Sequence, residues 1–346
     1  MYNLWESARI GPMLLKNRTI RSATNEHLST PRGDPSESWA DVLVELAQNE
    51  VGLIITGHIT VDRTQRADEG QLVIDETVDL DLLADTAKRV HACGAKLVAQ
   101  LSHSGIKAME KLNGVAAKAP ADFSREELDM LVERFSAAAL CCKHAGFDGV
   151  QIHNAHGYLL SSFLNPKENL RTDEYGGSLE NRFRLIRDIL EKVRKICGPD
   201  FAILVKADCD ACGDLHSLLA LYQDVGVDGV ELSGTDFNRR AGIRTPFYLN
   251  ELVNSSGKIS LPLILVGGIF SEQTAKDVLA SGIPFVSFSR ALICQPDFIA
   301  RMKSGLQTDS SCKCCNACYT IYRKKPVRCI EHVQQIPLLK ELFSLS

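Results

Sequence analysis

Eight short apolar, β-branched runs recur along this 346-residue chain, at residues 19–23, 51–56, 96–101, 148–153, 202–207, 228–233, 262–267 and 284–288. Near-continuous apolarity over so few residues marks strands buried on both faces, as in a parallel sheet covered by helices. The stretches between them carry helical patterns. Leu128, Leu131, Val132, Phe135, Ala138, Ala139 and Cys142 keep one face, with Ser124 and Glu127 spaced as a capping box. Leu179, Phe183, Ile186, Leu190 and Val193 do the same for a second helix; Ser271 suits the start of another and Gly282 its end. Strands alternating with helices eight times predict an α/β fold, a closed (β/α)8 TIM barrel, and no shorter repeat is present.

With 45% hydrophobic and 24% charged residues the chain has enough apolar material for such a core. A barrel of this kind occupies about 250 residues as one domain. The expected division is therefore a barrel at 1–305 and a Cys-rich extension at 306–346, packed on or beside it. A net charge of -4, without a basic stripe, argues against a nucleic-acid partner. Nowhere do about 18 apolar residues run together, and the start, MYNLWESARIGPMLLKNR, lacks the halves of a signal peptide. A cytoplasmic protein with no membrane partner is expected. Of 12 cysteines, Cys93, Cys141, Cys142 and Cys197 lie in apolar or helical surroundings, where thiols pack as small hydrophobes.

A barrel collects its chemistry where strands end and the following loops begin. The distinctive residues fall there: Ala23, Thr24 and Asn25 after the first run, Gln100 and His103 at the third, His153 to Tyr158 at the fourth. Lys206 follows at the fifth, Gly267 and Gly268 at the seventh, and Ser289 and Arg290 at the eighth. Glycines let backbone amides approach an anion, and Arg290 can neutralise it, so the last two strands read as a phosphate site. Singly, each feature has a plainer reading. Paired glycines also make tight turns, Lys206 suits a structural ion pair, and Gln100 suits a capped strand end.

Residues 146–182 are the most informative segment. Val150 to Ile152 run into His153, His156 and Tyr158, two imidazoles and a phenol spaced to converge on one polar atom of a ligand where a strand gives way to a loop. That is a carbonyl-binding pattern, and a phenol, with a pKa of about 10, is a proton donor at neutral pH. The turn is followed by Phe163-Leu164-Asn165-Pro166 and by the stretch from Arg171 to Arg182, RTDEYGGSLENR. Together these resemble the signature of the old yellow enzyme, or NADH:flavin oxidoreductase, family, near its 2,4-dienoyl-CoA reductase branch and over the barrel domain only.

The resemblance implies an FMN-dependent ene reductase that passes hydride from NAD(P)H through FMN to the C=C bond of an α,β-unsaturated carbonyl or thioester. It assigns the carbonyl clamp to His153 and His156 and the proton to Tyr158. Cofactor contacts fall to Ala23, Thr24, Asn25, Gln100, Lys206, Gly267, Gly268, Ser289 and Arg290. Two positions depart from the family pattern: Lys206 stands where most relatives have arginine, losing the planar fork, and Asn25 where threonine or cysteine is common. Relatives are often dimers or tetramers.

The tail reads Cys312, Cys314, Cys315, Cys318 and then Cys329. Cys312, Cys315, Cys318 and Cys329 resemble the cluster-binding segment of the dienoyl-CoA reductase branch, with one residue fewer between the second and third cysteines. Four thiolates suit an iron-sulphur cluster or zinc, and free or paired thiols stay equally open. Two other readings also remain: a barrel lyase or isomerase acting on a phosphorylated substrate with Lys206 as Schiff base, and a redox- or metal-sensing protein whose barrel has lost turnover. Substrate identity rests on the loops at 106–120 and 236–250, which patterns do not fix.

Overall fold

The computed structural model describes residues 2–236, 239–257, 259–320 and 326–330. An antiparallel hairpin comes first, β1 (Ala8–Ile10) and β2 (Met13–Leu15). Nine parallel strands follow: β3 (Thr19–Arg21), β4 (Leu53–Ile55), β5 (Ile59–Thr60), β6 (Lys96–Ser102), β7 (Gly149–Asn154), β8 (Ala202–Asp208), β9 (Gly229–Ser233), β10 (Leu263–Val266) and β11 (Phe285–Phe288). Pairing of β11 with β3 and of β4 with β6 closes eight of them into a barrel, and β5 extends the line of β4 along the upper part of β6. Each of the eight expected runs coincides with its strand, with β6, β7 and β8 reaching one residue further.

Alternation along these strands explains why the runs read as apolar throughout. In β8, Ile203, Val205 and Ala207 face outward into the core shared with the helices, whereas Ala202 and Leu204 face the barrel interior. The same parity puts Ile20, Leu53, Ile55, Val98, Ile264 and Phe285 inside. Ile10, Met13 and Leu15 of the hairpin join that interior cluster and plug the lower end. The sequence reading did not anticipate the hairpin; its three-residue strands are too short for a period, and only Gly11, at φ 52°, and Pro12 mark the turn.

The helices start where expected. Ser124 and Glu127 form the reciprocal capping box of the helix Arg125–His144, and Ser178 and Ser271 cap Leu179–Cys197 and Glu272–Ala280. Cys142 and Cys197 are fully buried, as small hydrophobes are. Among the described residues no helix is long and apolar enough to cross a membrane.

Candidate active site at the barrel mouth

One step above the apolar plug, the inward positions change character. Gln100, Gln151, Lys206, Glu231, Ser287 and Ser22 form a hydrogen-bonded layer drawn from six of the barrel's strands and strand ends. Gln100 Nε2 donates to Gln151 Oε1 (2.7 Å) and Gln151 Nε2 to Glu231 Oε2 (3.1 Å). Ser287 Oγ donates to Glu231 Oε1 (2.6 Å), and Lys206 Nζ lies 3.3 Å from Glu231 Oε2 and 2.8 Å from Ser22 Oγ. Burial would raise the Glu231 carboxyl, but Lys206 and the donors from Ser287, Ser22 and Gln151 outweigh it and hold the group below the ordinary glutamate value. Lys206 thus has the ion pair of its plainer reading, and it also borders the cavity above.

That cavity measures about 560 Å³. Every expected cofactor and catalytic position lines it: Ala23, Thr24, Asn25, Gln100, His153, His156, Tyr158, Lys206, Gly267, Gly268, Ser289 and Arg290. His103 does not. Its ring lies between Asp62 (Nε2 to Oδ2, 3.9 Å) and the edge of Phe123, and its Nδ1 accepts from the Gly105 amide. Its place at a strand end is structural.

At one end of the cavity stand the histidines and the phenol. His156 and Gly157 both take left-handed backbone, at φ 65° and 68°, which reverses the chain sharply after β7. A buried carboxylate holds the turn: Asp208 Oδ2 accepts from the His156 amide (2.7 Å) and from Ser161 Oγ (2.8 Å). Burial pushes Asp208 up to about 7. The turn brings the His153 ring centroid to 5.4 Å from His156 and 5.0 Å from Tyr158. Burial first, and then neighbouring positive charge including Lys206 and Lys107, holds both histidines well below the ordinary imidazole value. They are neutral at neutral pH, each with one N–H to donate. His153 Nδ1 is buried without a partner, while His156 Nε2 lies 2.9 Å from Ser233 Oγ. Burial also pushes the Tyr158 phenol up, so it stays protonated.

The opposite end is made by Gly267 and Gly268, at φ 115° and 77°, and by Ser289 and Arg290. No side chain fits at the two glycines, because Phe247 and the Thr245 carbonyl press on them. The tail reaches this end. Asn316 Oδ1 accepts from Arg290 Nη1, and the Tyr319 hydroxyl lies 2.8 Å from Ser289 Oγ. On the third side, Asn25 Nδ2 donates to Asp68 Oδ2 (2.9 Å), so its amide is partly engaged by another lining residue.

His58, Gln151, Glu231, Phe247 and Tyr319 belong to this site and were not picked out from sequence. His58 had a usable signal, since it follows the second run by two residues and strand ends carry chemistry. Glu231, inside the run DGVELS, had one too, because a carboxylate in a buried strand requires a partner.

Cys312, Cys315, Cys318 and Cys329, the four tail cysteines grouped from sequence, line one small cleft together with Cys294. Cys312 and Cys314 are buried, Cys318 borders the cavity, Cys329 is half-buried and Cys315 is exposed. Among the described residues no group of three or more His, Cys, Asp or Glu side chains is placed to hold a metal ion. Within that segment the backbone is left-handed at Cys314 (φ 55°) and Asn316 (φ 61°).

Residues 3–212 match the model of the NADH:flavin oxidoreductase / NADH oxidase family. The chain is 28% identical to the NADH oxidase of Thermoanaerobacter brockii, over 91% of this chain and 53% of that protein. It is 30% identical to the NADPH dehydrogenase of Bacillus subtilis, over 88% and 96% respectively. Its fold superposes on a 2-naphthoyl-CoA reductase with a TM-score of 0.86, at 22% identity, over 94% of this chain and 56% of that one. The chain therefore spans about half the length of the first and third of these proteins. A family match over more than half the chain, on a closed barrel with the signature turn at its mouth, places it in the NADH:flavin oxidoreductase / NADH oxidase family, among barrels of the old yellow enzyme type.

Proposed function

We propose that this chain is an FMN-dependent ene reductase, drawing hydride from NAD(P)H and reducing a C=C bond conjugated to a carbonyl or thioester. One observation carries the reading: neutral His153 and His156 and protonated Tyr158 converge at one end of a 560 Å³ cavity whose floor and far end carry cationic and amide donors. The residues suit FMN. Gln100 and Lys206 offer donors for a pyrimidine edge, and Gly267, Gly268, Ser289 and Arg290 suit a phosphate, for which Asn316 and Tyr319 would give up their hold on the last two. When bound, FMN supplies the hydride relay between nicotinamide and alkene.

The chain's own part is to bind, orient and protonate. His153 and His156 hold the carbonyl oxygen of the alkene, so charge developing there meets fixed N–H donors in a partly dry site. Tyr158 then delivers its proton to the α-carbon. Lys206 Nζ is already engaged by Glu231 and Ser22, which opposes the lone-pair chemistry of a Schiff base.

An absorption spectrum of the purified protein tests the cofactor: flavin bands are expected, bleached by NADH or NADPH without oxygen and restored by an enone. Tyr158→Phe is expected to slow reoxidation by the enone about 10²- to 10⁴-fold, with flavin reduction by nicotinamide largely kept. Equal damage to both half-reactions would remove the proton-donor role. A colourless protein that cannot take up FMN would remove the whole reading.

A further inference from the structure

Residue 58 stands against the phenol. The His58 and Tyr158 ring centroids are 4.8 Å apart, His58 Nε2 lies 3.5 Å from the Tyr158 hydroxyl, and the His153 ring centroid is 6.0 Å from that of His58. The far side of the imidazole fixes where its proton sits. Gln71 Oε1 accepts from the Ala67 amide at 2.6 Å, which orients the side-chain amide. Its Nε2 therefore points at His58, 2.8 Å from Nδ1 and 3.3 Å from the His58 carbonyl oxygen. An amide nitrogen only donates, so His58 Nδ1 is the acceptor and the ring proton lies on Nε2, toward the phenol. Burial, with Asp68 partly opposing, holds His58 down to about 4, so the ring is neutral at neutral pH and this tautomer is the one present.

We propose that His58 is a positioning residue for Tyr158: its Nε2–H donates to the phenol oxygen, turning the hydroxyl hydrogen toward the cavity and stabilising the phenolate left after proton transfer. The inference rests on the reading of Tyr158 as proton donor. In that step the phenol O–H bond breaks, its electron pair stays on oxygen, and the carbanion pair on the substrate's α-carbon forms the new C–H bond. The 3.5 Å contact, long for a neutral pair, tightens as the phenol oxygen takes up charge. On the far side of the ring the Ser102 hydroxyl also lies 3.4 Å from His58 Nδ1 and, with that nitrogen as acceptor, donates to it. Water entering the open cavity reprotonates the phenolate. The other groups facing this pair are Asp68, tied to His27 Nδ1 at 2.9 Å and to Asn25, Lys107 with Nζ 5.2 Å from the Tyr158 ring centroid, and the neutral His153 and His156.

The test compares His58→Leu, His58→Gln and Tyr158→Phe in the flavin-loaded protein, following reoxidation of the reduced enzyme by cyclohexenone. A hydrogen bond to a developing anion is worth enough that His58→Leu is expected to slow this step roughly tenfold to a hundredfold. His58→Gln, which restores an N–H donor, is expected to recover most of the rate. Ring-nitrogen NMR of the unsubstituted protein is expected to show His58 protonated at Nε2. Protonation at Nδ1, or equal rates in His58→Leu and His58→Gln, overturns the positioning role. If Tyr158→Phe itself leaves reoxidation unchanged, the donor assignment falls and this inference with it; if only His58→Leu is without effect, the donor assignment stands and the positioning role alone is lost.

Discussion

The lower and upper halves of β8 are built on one rule and end in opposite chemistry. Ala202, Leu204, Lys206 and Asp208 share a parity along the strand; the first two lie in the apolar plug with the β1–β2 hairpin, whereas Lys206 pairs with Glu231 and Asp208 anchors the turn that carries His156. All four are buried. The lower half is held by contact area, which tolerates change in proportion to volume. The upper half is held by matched donors and acceptors, where removing one partner strands the other. The barrel thus separates the part that keeps it folded from the part available for chemistry, within about 20 Å of a single strand.

Substitutions down this strand sharpen or break that contrast. The largest effect is expected at Lys206→Met, which leaves Glu231 buried without its counter-ion and costs about 3–5 kcal/mol of stability in urea unfolding. Replacing Glu231 by leucine in the same chain is expected to recover most of it; no recovery would show that the two halves are not held by different means. Leu204→Ala comes next, at about 2–4 kcal/mol from lost burial and the residual cavity, with flavin uptake retained. Loss of flavin binding there would mean that the plug also shapes the site.

Asp208→Asn is expected to show only as a pH dependence. Burial raises this carboxyl to about 7 from its ordinary value of 3.8, so folding favours the protonated form. Its stabilising contribution is present below the lower value and is lost as pH rises toward the upper one. The stability of the original protein relative to the asparagine variant should therefore fall across that window, by on the order of 1 kcal/mol per pH unit at most. His58 has the opposite sign, since burial lowers it from 6.5 to about 4 and its contribution is lost as pH falls through that range. Subtracting one protein's curve from the other removes the histidine part. A flat difference would mean that Asp208 is ionised in its turn without penalty.

Much of the mouth was legible because it follows from order along the chain. Once eight buried strands are placed in sequence, the residues just past their ends must meet at one rim, and all twelve expected cofactor and catalytic positions do line the cavity. His103 obeyed the same rule and still turned aside, because Asp62 and the Gly105 amide engage its ring. His58 and Glu231 escaped for the converse reason. A histidine just past one run and a glutamate within another were signals without a partner in sight, because their meaning lies in Tyr158 and Lys206, 100 and 25 residues away. In the tail, spacing singled out the four cysteines that line one cleft, whereas the presence of Cys294 beside them was not legible, because it comes from a separate helix.

The sequence alone therefore determined the closed barrel, the rim and the family, because buried parallel strands, helix caps and a signature spanning residues 146–182 are local or evenly repeated features. Only the tertiary structure decided the hairpin plug, the Lys206–Glu231 layer, the place of Cys294 beside the tail cysteines and the His58–Tyr158 contact. These depend on which side chains face each other across the barrel, and that pairing exists only once strand register and loop direction are set.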